Sequence, residues 1–189
     1  GLYCGAKVDF VDIDLDTYNL NTESLGKKLE EAKIEGCLPK VVIPVHMCGQ
    51  SCDMQEIYRL SKAYGFKIIE DASHATGARF QDKMVGCCEY SDISVFSFHP
   101  VKIITTGEGG IATTNSKTLD ENLRAFRTHG ITRDKLKFTR PEKVKAPWYY
   151  EQQSLGFNYR LNDIQSALGL SQLKKLNKFI NSRNEIASL

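Results

Sequence analysis

The stretch SDISVFSFHPVKIITTGEGG, residues 91–110, decides how the chain is read. Ile93, Val95 and Phe98 make a short apolar run of the kind a buried strand presents. His99-Pro100 closes it, because proline has no N–H to give to a ladder. Lys102 stands just past the expected strand end. Thr105 to Gly110 then supply hydroxyls and glycines, the composition of a loop. An amine beside the mouth of a buried strand is well placed for carbonyl chemistry. It must be neutral to attack, and a free lysine ionises at about 10.4. Desolvation or a neighbouring positive charge lowers that value. Taken alone, a solvated lysine after a turn is the better reading of the segment, because lysines are common and mostly solvated.

A second stretch, FKIIEDASHA at residues 66–75, changes the balance. Phe66 to Ile69 reads as another buried strand, with Asp71 at its end. A carboxylate there faces the crevice at the carboxyl edge of an α/β sheet. A lysine and an aspartate so placed suit pyridoxal phosphate. The lysine forms the Schiff base, and the aspartate pairs with the protonated pyridine nitrogen so that the ring accepts electrons.

Three separated segments then carry a resemblance: EDASHATGA, SVFSFHPVKIITTGEGG and LGFNYRLNDIQSALGLSQL. In this order they resemble the DegT/DnrJ/EryC1/StrS sugar aminotransferases. CGAKVDFVDIDLDTYNLN and VVIPVHMCGQSCDM are similar to that family too, so the likeness covers nearly the whole chain. It implies the fold-type I architecture of pyridoxal-phosphate enzymes, with a mostly parallel sheet between helices. It implies Lys102 as the Schiff-base lysine and proton shuttle, and Asp71 as the pyridine partner. Ser97 is implied to reach the cofactor phosphate, and Asn158 the phosphate of a neighbouring subunit in a homodimer with composite sites. His74 either contacts the ring hydroxyl or packs under the ring. FHPVK and the tail are most similar to the pseudaminic acid branch of the family. That branch aminates a UDP-linked 4-keto-6-deoxy-N-acetylhexosamine, with L-glutamate as expected donor. The family's dehydratase branch has histidine where this chain has Lys102. A sugar-nucleotide-binding regulator without turnover is a further alternative.

Composition narrows the class. Hydrophobic residues make up 41% of the 189 and charged residues 25%, ordinary for a globular chain. A formal charge of +2 points to neither nucleic acid nor an anionic membrane surface. No apolar run is long enough to span a bilayer, and no signal-peptide pattern opens the chain. The six irregularly spaced cysteines read as reduced thiols of a cytoplasmic enzyme. His46, Cys48 and Cys52 form H-x-C-x3-C, which leaves a metal-stabilised interaction module as an alternative; apart from adjacent Cys87-Cys88 no second short-spaced pair accompanies it, so no metal is expected. Gly1 at the start and an uncapped helical pattern at Leu189 read as an interior piece. Residues 1–189 are then the central part of a cofactor-binding large domain, lacking the upstream phosphate-binding turn and the smaller C-terminal domain.

Local patterns set the expected elements. Val8 to Ile13 reads as a strand, and Asn21 or Thr22 caps a helix to about Glu35. Val41 to Val45 is a short strand interrupted by Pro44. Asp53 and Glu56 box a helix over Met54 to Tyr64, ended by Gly65. Further strands are expected at 66–69, 93–98 and 110–114, and a helix at 119–128. Residues 130–154 are a long basic and aromatic connection without a period. Asn162 and Gln165 box a last helix whose Ile164, Leu168, Leu173 and Leu176 share a side. Strand, helix, strand order argues for parallel pairing.

Overall fold

The structure, a computed structural model, describes residues 1–140, 142 and 147–189. Its centre is a four-stranded sheet in the order β1-β2-β5-β6, where β1 is Val41–Val42, β2 Lys67–Asp71, β5 Ile93–Ser97 and β6 Gly110–Thr113. β1, β2 and β5 run parallel, with Val42 opposite Ile68 and Asp71 opposite Val95. β6 returns antiparallel to β5, with Ser97 opposite Gly110. The expected α/β fold with a mostly parallel sheet is therefore present.

Two helices cover one face. α1 (Thr22–Ile34) starts where Asn21 accepts from the Ser24 N–H, and α2 (Met54–Tyr64) where Asp53 accepts from the Glu56 N–H. The Asp53 half of the expected box forms; the Glu56 carboxylate instead takes Arg59 at 2.7 Å. Gly65 ends α2 at φ 80°, a left-handed position that glycine adopts without strain. Leu25, Leu29, Met54, Ile57 and Leu60 pack on Val42, Phe66 and Ile68 to make the main core. Each side chain of this size contributes roughly 1.5–3 kcal/mol when fully buried.

The opposite face follows from period-2 alternation. Val41, Ile43 and Val45 stand exposed while Val42, Pro44 and His46 turn inward. Asp71 lies in a row between Val45 and Val95 on this open face.

Three features go beyond or against the expected elements. Between β2 and β5 the chain crosses over without a helix, through the short hairpin of β3 (Arg79–Phe80) and β4 (Lys83–Met84). The expected strand at Val8 to Ile13 is absent: only Ile13 bridges Leu20, and Phe10 is 81% exposed, because no neighbouring strand stands ready among the described residues. The last helix is two: α4 (Asp163–Leu173) and α5 (Leu176–Ala187) break at Lys174-Lys175. α3 (Lys117–Arg127) starts at a Ser116 cap. The 130–154 connection holds a small ladder of β7 (Ile131–Thr132) and β8 (Glu151–Gln152); Pro141 and residues 143–146 lie outside the described residues. No helix among the described residues is long and apolar enough to cross a membrane.

Candidate active site

The carboxyl ends of β2 and β5 lie side by side, and the candidate residues gather there. Asp71 is the last residue of β2. Its backbone is held on the β1 side by two bonds, Asp71 N–H to Pro44 O at 2.9 Å and His46 N–H to Asp71 O at 3.1 Å. Its side chain is half-buried, and Oδ1 accepts from the Ser73 N–H at 3.1 Å. That bond leaves Oδ2 available. Ser97 ends β5 on the same open face, two residues beyond Val95, the partner of Asp71. Its hydroxyl oxygen accepts from the His99 N–H at 3.4 Å and keeps its own proton to donate.

Lys102 sits in the loop that joins β5 to β6. The loop closes where Phe98 N–H donates to Gly109 O at 2.8 Å and Thr106 N–H to Phe98 O at 3.0 Å. Inside it, Lys102 N–H donates to His99 O at 3.0 Å, making one tight turn at the lysine. The expected turn after His99-Pro100 is therefore real, and Lys102 is half-buried. His74 is half-buried in the turn after β2, and its carbonyl faces Gly49, where an added Cβ would come within 3.0 Å.

Asn158 lies outside the central sheet. It is exposed and pairs with Thr128 beyond the end of α3, in a segment where Phe157 N–H donates to Phe126 O at 2.7 Å. Among the described residues no hydrogen bond joins it to Asp71, His74, Ser97 or Lys102. Four of the five candidate positions thus share the sheet edge, and Asn158 does not. An amine, a carboxylate and a hydroxyl at one edge can bond a carbonyl, hold a positive ring nitrogen and donate to a phosphate.

Directly behind Asp71 is a polar cluster that local pattern reading missed. Glu70 alternates with Ile68 onto the helix-covered face and is 5% exposed. Its carboxylate accepts from Ser94 Oγ at 2.6 Å and from Ser91 Oγ, and meets His46 Nε2 at 2.8 Å. His46 Nδ1 accepts from the Cys52 N–H at 3.2 Å, so the ring proton belongs on Nε2. Both ring nitrogens are used, which removes His46 from the metal-ligand alternative. Burial pushes the Glu70 carboxyl up, but the bonds from His46, Ser91 and Ser94 outweigh it and hold the group below the usual carboxylate value. The signal was available: in FKIIED, Glu70 has the parity of Phe66 and Ile68, so it is a charge on a buried face and needs partners.

Comparison with known proteins fits this geometry. The profile of the DegT/DnrJ/EryC1/StrS aminotransferase family matches residues 2–189. A Campylobacter jejuni protein named UDP-4-amino-4,6-dideoxy-N-acetyl-beta-L-altrosamine transaminase is 39% identical over 193 aligned positions, which take in 99% of this chain and 45% of that protein. The solved structure of Helicobacter pylori PseC, described as an aminotransferase of pseudoaminic acid biosynthesis, superposes with a TM-score of 0.79 at 36% identity, over 93% of this chain and 42% of that one. A putative sugar aminotransferase from Streptococcus pneumoniae, solved in its PLP form, gives 0.76 at 26% identity over 99% and 48%. The chain spans less than half the length of these relatives. A match along the whole chain, with lysine and aspartate at adjacent strand ends, settles the classification: the chain belongs to the DegT/DnrJ/EryC1/StrS aminotransferase family, whose members depend on pyridoxal 5'-phosphate.

Proposed function

We propose that this chain is the central part of the cofactor-binding domain of a nucleotide-sugar aminotransferase. The protein would take an amino group, from L-glutamate, and place it on the C4 keto carbon of a UDP-linked 4-keto-6-deoxy-N-acetylhexosamine. The observation that carries the reading is Lys102 and Asp71 at the carboxyl ends of neighbouring strands, in a chain matched end to end by an aminotransferase family. The substrate class is supported by the names of the Campylobacter and Helicobacter relatives.

The residues fit the cofactor by their chemistry. Asp71 Oδ2 is available to a ring N–H⁺, because Oδ1 is taken by the Ser73 N–H. Ser97 keeps a hydroxyl proton to donate to a phosphate oxygen without adding charge. Lys102 supplies the amine that holds the cofactor covalently. Pyridoxal 5'-phosphate, when bound, supplies an electron-poor ring that accepts the electron pair released at the donor's α-carbon. Lys102 Nζ, freed when an amino donor takes its place, would act first as base and then as acid for the proton of that carbon. Asp71 holds the ring nitrogen's proton by charge throughout. His74 would contact the ring hydroxyl or pack under the ring.

Asn158 serves the site of a second subunit in a homodimer. What supports this is its exposure and its pairing with Thr128 outside the central sheet. The cytoplasm is the expected compartment, in keeping with six cysteines that all stand as free thiols.

The test uses the full-length protein. Borohydride should fix the cofactor to the peptide carrying Lys102, and incubation with glutamate and a panel of UDP-4-keto sugars should yield the 4-amino sugar by mass and NMR. Label on Lys67 or Lys83 would overturn the site. Turnover of a different nucleotide sugar would overturn the substrate class.

A further inference from the structure

The Lys102 loop touches the rest of the molecule at a second place, and the partner is α4. Glu108 O accepts from Thr106 Oγ1 at 2.7 Å, inside the loop, and from Gln165 Nε2 at 3.0 Å, outside it. Thr106 is 3% exposed. A Cβ added at Gly169 would lie 2.8 Å from Thr106 Cγ2, so the helix backbone rests directly on that side chain.

Gln165 and Gly169 are one helical turn apart and share a face. Each departs from what an isolated helix start or interior prefers. Gln165 Oε1 accepts from the Asn162 N–H at 3.2 Å, while Gln165 N–H donates to Asn162 Oδ1 at 2.9 Å. This box accepts glutamate as readily as glutamine, and glutamate would suit the positive helix N-terminus better. Only glutamine can keep the box and also donate to Glu108 O. Gly169 is a poor interior helix residue, yet any side chain there meets Thr106. Both departures face the loop that carries Lys102.

We infer that Gln165 and Gly169 are positioning residues, forming on α4 a seat that fixes the height of the Lys102 loop above the ends of β2 and β5. The consequence for chemistry rests on the functional reading above; the seat itself does not. Its role is to set the distance between the Lys102 amine and the Asp71 carboxylate, so that one ring can meet both.

Two variants of the full-length protein separate the seat from ordinary helix stability. Gln165→Glu keeps the box acceptor and loses the donor to Glu108 O. Gly169→Ala improves the helix and pushes on Thr106. The first measurement is backbone amide exchange of the cofactor-free protein. In Gln165→Glu, amides in 99–109 should exchange about tenfold faster, as expected for one lost hydrogen bond, while those in 163–173 keep their protection. In Gly169→Ala the helix should exchange more slowly and the loop faster, opposite signs that a general change in stability cannot produce. The second measurement, on the loaded protein, is the pH titration of the absorbance band of the lysine-bound cofactor; its midpoint should move in both variants. Loop exchange at the wild-type rate in Gln165→Glu would overturn the seat. A faster loop with an unmoved absorbance titration would overturn the positioning role. A wild type with no cofactor on Lys102 would sink the functional reading, while the exchange result would still decide for or against the seat.

Discussion

The substitution Glu70→Gln tests whether the buried cluster behind Asp71 works as a charged acceptor. Glutamine would match the shape but carry one carbonyl and one NH₂. With the carbonyl toward Ser91 and Ser94, the NH₂ meets the Nε2–H of His46. The His46 proton cannot move to Nδ1 without stranding the Cys52 N–H, so in that orientation one buried donor is unpaired; with the amide reversed, the NH₂ faces Ser91 and Ser94, whose hydroxyl protons both lose the acceptor they have in Glu70. Losing a bond to a charged group costs roughly 1.5–3 kcal/mol, and an unsatisfied buried donor costs on that same order. A loss of about 2–3 kcal/mol follows, or roughly 4–12 °C in Tm for a domain of this size. The pH dependence has a definite sign. The folded Glu70 carboxyl lies below its ordinary 4.5, so its contribution is complete above that value and is lost as the pH falls through the lower, folded value. Urea unfolding of the cofactor-free protein, followed from neutral pH into acid, should show the wild-type advantage shrink on the acid side. A variant as stable as wild type at pH 7, or a gap that is equal at both ends, would refute the charged-acceptor argument.

Asp71→Asn should keep the fold and lose most transamination, since asparagine cannot hold a ring N–H⁺ by charge; steady-state rates equal to wild type would contradict the assignment. Mixing Lys102→Ala with Asn158→Ala subunits should restore part of the activity, because one site of the mixed dimer then carries neither lesion; confirmed exchange without recovery would reject the cross-subunit role. Glu151 accepts from Thr139 N–H, Thr139 Oγ1, Arg140 N–H, Tyr149 OH and Gln153 Nε2. Burial pushes its carboxyl up, but the bonds from Thr139, Tyr149 and Arg140 outweigh it and bring the value to about 2. Glu151→Ala should therefore loosen the connection, and trypsin should cut after Lys137 far faster than in wild type at neutral pH; equal cleavage rates would show that Glu151 does not hold the segment.

Much of the frame was legible because its signals are local. Asn21, Asp53 and Asn162 cap helices where their side chains can reach the N–H three residues on, and Gly65 stops α2 for reasons carried in its own backbone. Lys102 and Asp71 were legible as strand-end residues because His99-Pro100 and the apolar runs mark the ends. What pattern reading missed depended on partners. Residues 8–13 are rich in β-branched and aromatic residues like a strand but have no ladder to join among the described residues. The α4–α5 break is invisible because Leu173 and Leu176 keep helical spacing across Lys174-Lys175. Glu70 looked like a neighbour of Asp71, when strand alternation sends it to the other face and into a buried cluster. Asn158 was placed by resemblance alone, and its pairing with Thr128 is a long-range bridge that no local spacing encodes.

Lys102 and Asp71 also differ in how the chain must search to place them. β5 and β6 are consecutive, so bringing Phe98 to Gly109 closes a short loop, and loops of about ten residues close in some 10–100 ns. β2 and β5 are parallel, and their pairing has to wait for residues 72–92 to travel back along the sheet. Closure entropy grows with the length of chain enclosed, so the amine-bearing hairpin belongs to the early contacts and the carboxylate joins it late. Pulse-labelled refolding should show amides of β5 and β6 protected before that of Asp71. An opposite order would mean that the parallel pair nucleates the sheet and that the lysine loop is added to it.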